Sequence, residues 1–261
     1  MSDDQARGGH FVQSLERGLA VIRAFSAERP TMTLSEVARE TDLTRAAARR
    51  FLLTLTDLGY VRTDGRLFSL TPRVLDLGYA YVASAGLPEV SQPHLQDLSA
   101  RVQESASASV LDGDEVLYVA RSAASRIMTV SVTVGTRFPA SATSMGRVLL
   151  AGRGEEELAS YLSRVELPAL TRFTLTDPAQ LRTELEQVAE QGYALVDQEL
   201  EEGLRSLAMP VRDGSGEVVA AVNISAHANR TSIDEVMQEL LPALRTTAER
   251  IETDLRAVGR R

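Results

Sequence analysis

The chain has 261 residues, 44% of them hydrophobic and 25% charged, enough for one large domain or two modest ones. It has no cysteine, no apolar run long enough to span a bilayer and no leader-like start in MSDDQARGGHF, which excludes disulfides and thiolate chemistry and predicts a cytoplasmic protein without a membrane segment. The net charge of −8 is uneven: residues 1–86 balance at +1, the other 175 at −9, and all 28 basic residues are Arg, so only the N-terminal segment suits nucleic acid.

In chain order, Ser14 is placed to cap a first helix with Leu15, Leu19, Ile22 and Phe25 on one face. Thr33-Leu34-Ser35-Glu36 is a capping box that opens a second helix, with Leu34, Val37 and Ala38 inward. After the link Thr41-Asp42-Leu43, Thr44 caps a third helix that buries Ala47, Ala48, Phe51, Leu52 and Leu55, with Gly59 as its stop. Tyr60–Thr63 and Arg66–Leu70 flank Asp64-Gly65, the signature of a two-residue type I′ hairpin turn. Two short helices, a tight link and a small hairpin describe a winged helix-turn-helix over residues 1–70. Its third helix exposes Thr44, Arg45, Ala46, Arg49 and Arg50, the kind of surface that reaches base edges and phosphates of a double-stranded operator, and Arg62 and Arg66 in the wing reach an adjacent groove or backbone.

Thr71-Pro72 begins a linker helix over residues 71–87 that is apolar on most faces (Val74, Leu75, Leu77, Tyr79, Tyr81, Val82), which predicts burial against a second copy or the next domain. Residues 88–261 mix helices and strands in an α+β pattern. A helix runs through Val90–Val102. Strands follow at Ala106–Leu111 and Glu115–Ala120 around Asp112-Gly113-Asp114, and again at Ile127–Val134. Thr143–Leu150 reads as a loop feeding a short helix that stops at Gly152. Asp177-Pro178 starts a helix that ends at Gly192, and strands follow at Tyr193–Val196, Leu207–Val211 and Val218–Ser225. Ser232-Ile233-Asp234-Glu235 is a second capping box opening a long C-terminal helix.

On SLERGLAVIRAF, TRAAARRFLLTLTDLGYV, SATSMGRVLLAG, GYALVDQELEEGLRSLAMPVRD and VVAAVNIS, the chain resembles the IclR family of bacterial transcription regulators along nearly its whole length. The resemblance implies a GAF-like effector-binding domain over residues 88–261 and a homodimer, often paired further into a tetramer. RIMTVSVTVGTRFPASATSMGRVLLA and DQELEEGLRS look most like the branch that senses protocatechuate or 4-hydroxybenzoate. That branch implies a small aromatic carboxylate held by Ser144, Met145 and Gly146, beside Leu204 and Ser206, and against Asn223 and Ser225. Amides at a helix N-terminus suit a carboxylate, so those near Met145 are expected to hold it, with Met145, Val196 and Leu204 flanking the ring. Val196 stands where some relatives carry an acid, which favours an aromatic ring over a small aliphatic acid, the alternative within the family. Arg121, Arg126 and Arg137 could each approach the ligand carboxylate, although surface ion pairs are their ordinary role.

A small-molecule methyltransferase with a winged-helix dimerisation domain is the rival from another class. It needs a glycine-rich loop after a strand, and none is present. His10, His94 and His227 fit no triad or metal spacing, and Glu155–Glu157 and Glu199–Glu202 read as solvated acids. The sequence therefore predicts no catalysis, no cofactor and no metal. A purely architectural DNA binder would not require so large a C-terminal domain.

Overall fold

A computed structural model of the chain describes residues 10–26, 28–77, 86–124 and 132–258. Its contacts divide into two units, Met1–Ser84 and Ala85–Arg261.

The first unit runs α1 (Gln13–Arg23), β1 (Thr31–Thr33), α2 (Leu34–Glu40), α3 (Arg45–Asp57), β2 (Val61–Thr63) and β3 (Leu67–Leu70), its sheet ordered β1-β3-β2. Helix α2 starts at its capping box: Glu36 N donates to Thr33 Oγ1 at 3.3 Å while the Glu36 carboxylate takes Thr33 N at 2.7 Å. Thr44 caps α3 by accepting from Ala47 N at 3.2 Å. Between the helices Asp42 adopts φ 51°, a left-handed conformation that Asp tolerates, and the chain reverses within a few residues. Val21, Val37, Ala48, Leu52, Val61 and Phe68 fill the core.

Four local expectations change here. Helix α1 begins at Gln13 with Val12 at its cap and no side-chain cap bond, so Ser14 lies inside the first turn. Within the helix Val21 is buried, as are Ala24 and Phe25 just past its end, while Leu15 and Leu19 are exposed. A Cβ on Gly18 would sit 3.8 Å from the Phe51 ring, an ordinary packing distance, so the face through Gly18, Val21 and Ile22 is the one toward α3. In the wing, Thr63 pairs with Phe68 and only Gly65 takes a positive φ (+95°), so the connection is a longer loop than a type I′ turn. Asp64 holds it through its carboxylate, which accepts from Arg66 N at 2.9 Å and Leu67 N at 2.8 Å and is thereby kept below the usual carboxylate pKa. After the sheet, Thr71 donates its hydroxyl to the Gly59 carbonyl instead of capping, ahead of a short 3₁₀ turn at Pro72–Leu75. Residues 78–85 of the expected linker helix lie outside the described residues.

The second unit runs α4 (Leu87–Val102), β4 (Ser105–Asp112), β5 (Glu115–Ser122), β6 (Arg137–Pro139), a 3₁₀ turn (Ala140–Ala142), α5 (Ser144–Ala151), α6 (Glu155–Arg164), α7 (Pro178–Gln191), β7 (Ala194–Asp197), β8 (Leu204–Arg212) and β9 (Val218–His227). A capped turn, α8 (Ile233–Glu235), then leads through a π segment (Val236–Leu240) into α9 (Leu241–Val258). Six strands form one antiparallel sheet in the order β6-β5-β4-β9-β8-β7. One face packs Leu207, Val222 and Ile224 against Leu95 and Leu98 of α4 and Leu244 and Ile251 of α9. The other packs Val116, Ala208 and Ala221 against Met145 and Leu150 of α5, Leu158 of α6, and Leu181 and Leu185 of α7. Both faces are therefore covered. Of the strand expected at Ile127–Val134, residues 127–131 lie outside the described residues and 132–134 are not strand. A turn at Gly135 (φ +92°) intervenes, and the edge strand is the shorter β6.

Candidate functional site

Two surfaces gather the residues singled out in the sequence. In the first unit, Thr44, Arg45, Ala46, Arg49 and Arg50 are all exposed on the first two turns of α3. Arg45 and Arg49 stand one helical turn apart, as do Ala46 and Arg50. None of the three arginines has an ion-pair partner among the described residues, whereas Arg29 nearby is neutralised by Glu40. Arg62 and Arg66 are exposed in the wing, with Arg62 Nε donating to Ser69 Oγ at 3.0 Å. Uncompensated guanidinium groups at the start of a helix that a three-stranded wing flanks form a surface matched to phosphates and base edges.

In the second unit, a cavity opens between the sheet and the start of α5. Tyr118, Ala142, Thr143, Ser144, Val196, Leu200, Leu204, Ser206, Asn223 and Ser225 line it. Strand register explains the grouping: Val196, Ser206, Ser225 and Ser105 are lateral partners across β7-β8-β9-β4, and Asn223, Ser107 and Arg121 form the next such row across β9-β4-β5. Lateral partners point to one face.

The polar side is tightly connected. Ser144 Oγ lies 2.7 Å from Ser206 Oγ, and Asn223 Nδ2 donates to Ser206 Oγ at 2.9 Å and Ser225 Oγ at 3.1 Å. Asn223 is 2% exposed, yet among the described residues its carbonyl oxygen Oδ1 has no partner. A buried acceptor left in that state costs about 1–3 kcal/mol, so it is a place for a donor. Val196, Leu200 and Leu204 make the apolar side. Burial pushes the Tyr118 phenol up to about 12, which keeps it neutral. The cavity volume is about 20 Å³. A cavity that accepts a benzene ring is about 150 Å³.

Met145 and Gly146 do not line this cavity. The Met145 side chain is fully buried in the core with its sulfur 3.2 Å from Ser109 Oγ. A Cβ on Gly146 would lie 2.1 Å from the Ala140 carbonyl oxygen, so glycine is what lets α5 seat on the 3₁₀ turn. The Gly146 amide is already bonded to Thr143 Oγ1 at 3.1 Å. Of the expected carboxylate seat, the Gly146 amide is thus taken, while Ser144 at the start of α5 lines the cavity. Four cavity residues were not foreseen: Tyr118, Ala142, Thr143 and Leu200. Leu200 did carry a signal, as the one apolar residue in the acidic run Glu199–Glu202.

The acidic run is also corrected at Glu199, which is 8% exposed rather than solvated. Its carboxylate accepts from Arg147 Nη2 at 2.6 Å and from Leu175 N at 3.0 Å. Arg147, itself 1% exposed, also donates Nε to the Ser141 carbonyl at 3.0 Å and lies 3.5 Å from Glu184. This clamp ties α5 to the β7–β8 connection that supplies Leu200. Of the three candidate arginines, Arg137 is paired with Asp112 and Glu115, and Arg126 lies outside the described residues. Arg121 is partly buried and reaches only Ser107 Oγ, at 3.5 Å. A larger, more open hollow beside α6 is rimmed by Arg153 and Arg164, which pair with Glu157 and Asp114, and it reads as a solvated groove. Among the described residues no helix is long and apolar enough to cross a membrane, and no group of three or more His, Asp or Glu could hold a metal ion.

Comparison with known proteins bears on both surfaces. The IclR helix-turn-helix domain matches residues 14–65, and the domain described as bacterial transcriptional regulator IclR C-terminal matches residues 79–253. The Pca regulon regulatory protein of Pseudomonas putida is 47% identical over 235 residues, 90% of this chain and 81% of that protein. The p-hydroxybenzoate hydroxylase transcriptional activator of Acinetobacter baylyi is 36% identical over 255 residues, 96% of this chain and 94% of that protein. The crystal structure of an IclR homolog from Microbacterium hydrocarbonoxydans complexed with 4-hydroxybenzoate superposes with a TM-score of 0.84 at 29% identity, covering 94% of this chain and 99% of that one.

Proposed function

The chain belongs to the IclR family of bacterial transcriptional regulators, and on that premise we propose that it reads an operator through α3 and the wing and responds to a hydroxylated benzoate held between α5 and the sheet. 4-Hydroxybenzoate and protocatechuate are the leading candidates, in keeping with the names of its relatives and the ligand in the Microbacterium complex. The observation that carries the effector reading is Asn223, a buried cavity residue whose Oδ1 lacks the donor that a ring hydroxyl supplies. Ser206, itself paired with Ser144, and Ser225 fix the Asn223 amide, and Val196, Leu200, Leu204 and Tyr118 cover the ring.

On this reading residues 1–70 bind DNA, residues 71–87 link and dimerise, and residues 88–261 sense the effector, without catalysis and in the cytoplasm. Thr44, Arg45, Ala46, Arg49 and Arg50 meet base edges or phosphates, and Arg62 and Arg66 follow the backbone. A homodimer places two recognition helices on an inverted repeat, and two dimers pair into a tetramer. The effector shifts DNA affinity only by as much as it prefers one arrangement of the two reading heads.

Calorimetric titration with 4-hydroxybenzoate, protocatechuate, benzoate and pyruvate tests the effector reading. The hydroxybenzoates should bind most tightly, benzoate more weakly for want of the hydroxyl, and pyruvate weakest, with differences of a few kcal/mol at most. Pyruvate binding as tightly as either hydroxybenzoate sinks it.

A further inference from the structure

We infer that Asp64, an acid in the DNA-binding wing, is a positioning residue for DNA: its carboxylate presets the wing tip in the shape that presents Arg66 to the duplex. The assignment rests on the reading of the wing above and adds the residue that shapes it.

On charge alone Asp64 is out of place. It is exposed, it has the sign of phosphate, and it stands in a hairpin whose exposed Arg62 and Arg66 suit the opposite role. Its bonds show what it does there. Asp64 Oδ1 accepts from both Arg66 N at 2.9 Å and Leu67 N at 2.8 Å, and Asp64 N donates to the Leu67 carbonyl at 3.3 Å. Thr63 Oγ1 takes the remaining tip amide, Gly65 N, at 3.0 Å. Three successive amides of an exposed loop are thus met by the two side chains just before it.

Arg66 enters this arrangement through its backbone and keeps its side chain exposed. Across the same hairpin Arg62 pairs with Ser69, whose Oγ accepts from Arg62 Nε at 3.0 Å. The wing therefore holds its shape before any contact, and a loop already ordered loses less freedom on binding than one that DNA must order. The bonded amides also keep the Asp64 carboxylate below the usual range, so it stays ionised and keeps accepting from them at neutral pH.

Both side-chain bonds fall on one oxygen, and that separates shape from charge. Asp64→Asn keeps Oδ1 and removes the charge, whereas Asp64→Ala removes both. These two variants, Arg66→Ala and the double variant Asp64→Ala with Arg66→Ala are compared with wild type by fluorescence anisotropy at matched salt. The probe is a duplex that wild-type protein has selected from a randomised pool, and thermal melts check that each variant folds. Asp64→Ala should bind about three- to tenfold more weakly, although an acid has been removed from beside phosphate. Asp64→Asn should bind as tightly as wild type or more tightly. In the Arg66→Ala background, Asp64→Ala should cost less than about twofold, because the side chain it positions is gone. If Asp64→Ala and Asp64→Asn behave alike, in either direction, or if Asp64→Ala costs as much without Arg66 as with it, Asp64 does not position Arg66. If Arg66→Ala itself binds as wild type does, the reading of the wing falls first, and this assignment with it.

Discussion

Removing the Arg147 guanidinium is the most demanding perturbation that the second unit offers. Arg147→Met keeps most of the side-chain volume but deletes the donor that faces Glu199 at 2.6 Å and the bond to the Ser141 carbonyl at 3.0 Å. Glu199 is then left buried with the Leu175 amide at 3.0 Å as its remaining side-chain partner. Breaking one side of a buried ion pair costs about 3–5 kcal/mol, because a charge stays out of water without compensation. For a folding unit of this size each kcal/mol moves the melting temperature by about 2–4 °C, so the fall should be about 6–20 °C. The double variant Arg147→Met with Glu199→Met removes both charges and should recover most of the loss, since well-packed apolar side chains replace such pairs at little or no cost. Thermal unfolding followed by far-ultraviolet circular dichroism reads both. A single variant that melts within about 2 °C of wild type, or a double variant that melts no higher than the single one, refutes the claim that burial makes this pair mutually dependent.

Other outcomes are equally open to measurement. Arg45→Ala or Arg49→Ala should weaken operator binding by about 1–3 kcal/mol if either makes a bidentate base contact, and wild-type affinity in both at matched salt would remove α3 from the reading role. Gly146→Ala should destabilise by about 1–3 kcal/mol or more in denaturant titration, because the added methyl meets the Ala140 carbonyl at 2.1 Å and backbone must shift. Ser232→Ala should cost about 1 kcal/mol by deleting the cap that Glu235 N uses at 3.2 Å, which chemical denaturation resolves. The Tyr118 phenol ionises near 10 when unfolded and at about 12 when folded, so its contribution is whole below pH 10 and fades as pH rises toward 12. Tyr118→Phe should flatten that part of the stability profile.

The readable parts of this fold are those fixed by local chemistry. Thr33, Thr44 and Ser232 announce helix starts because a short side chain must meet orphan amides within three residues, and no distant partner enters that decision. The α1 face was misjudged because Gly18, which faces Phe51, has no hydrophobicity to count. Strands β1 and β6, three residues each, are too short to show alternation and exist only through pairing with β3 and β5. The cavity was half legible. Ser206, Asn223 and Ser225 followed from family resemblance, whereas Tyr118 and Leu200 join them through strand register and a loop that no local pattern encodes. Ser105, Ser107 and Ser109 look like the wet side of a half-exposed strand, yet all three are buried, because helices cover both faces of the sheet. Glu199 misled for the same reason: its partner lies 52 positions earlier in the chain.

The tightness of the cavity has a consequence for time as well as for strength. If the effector binds here as proposed, a cavity of about 20 Å³ must widen before a ring can enter. Apparent affinity is then the intrinsic affinity scaled by the fraction of molecules already open, and a state populated at a few per cent weakens it by well over tenfold. The observed association rate would rise with effector concentration and then level off at the opening rate.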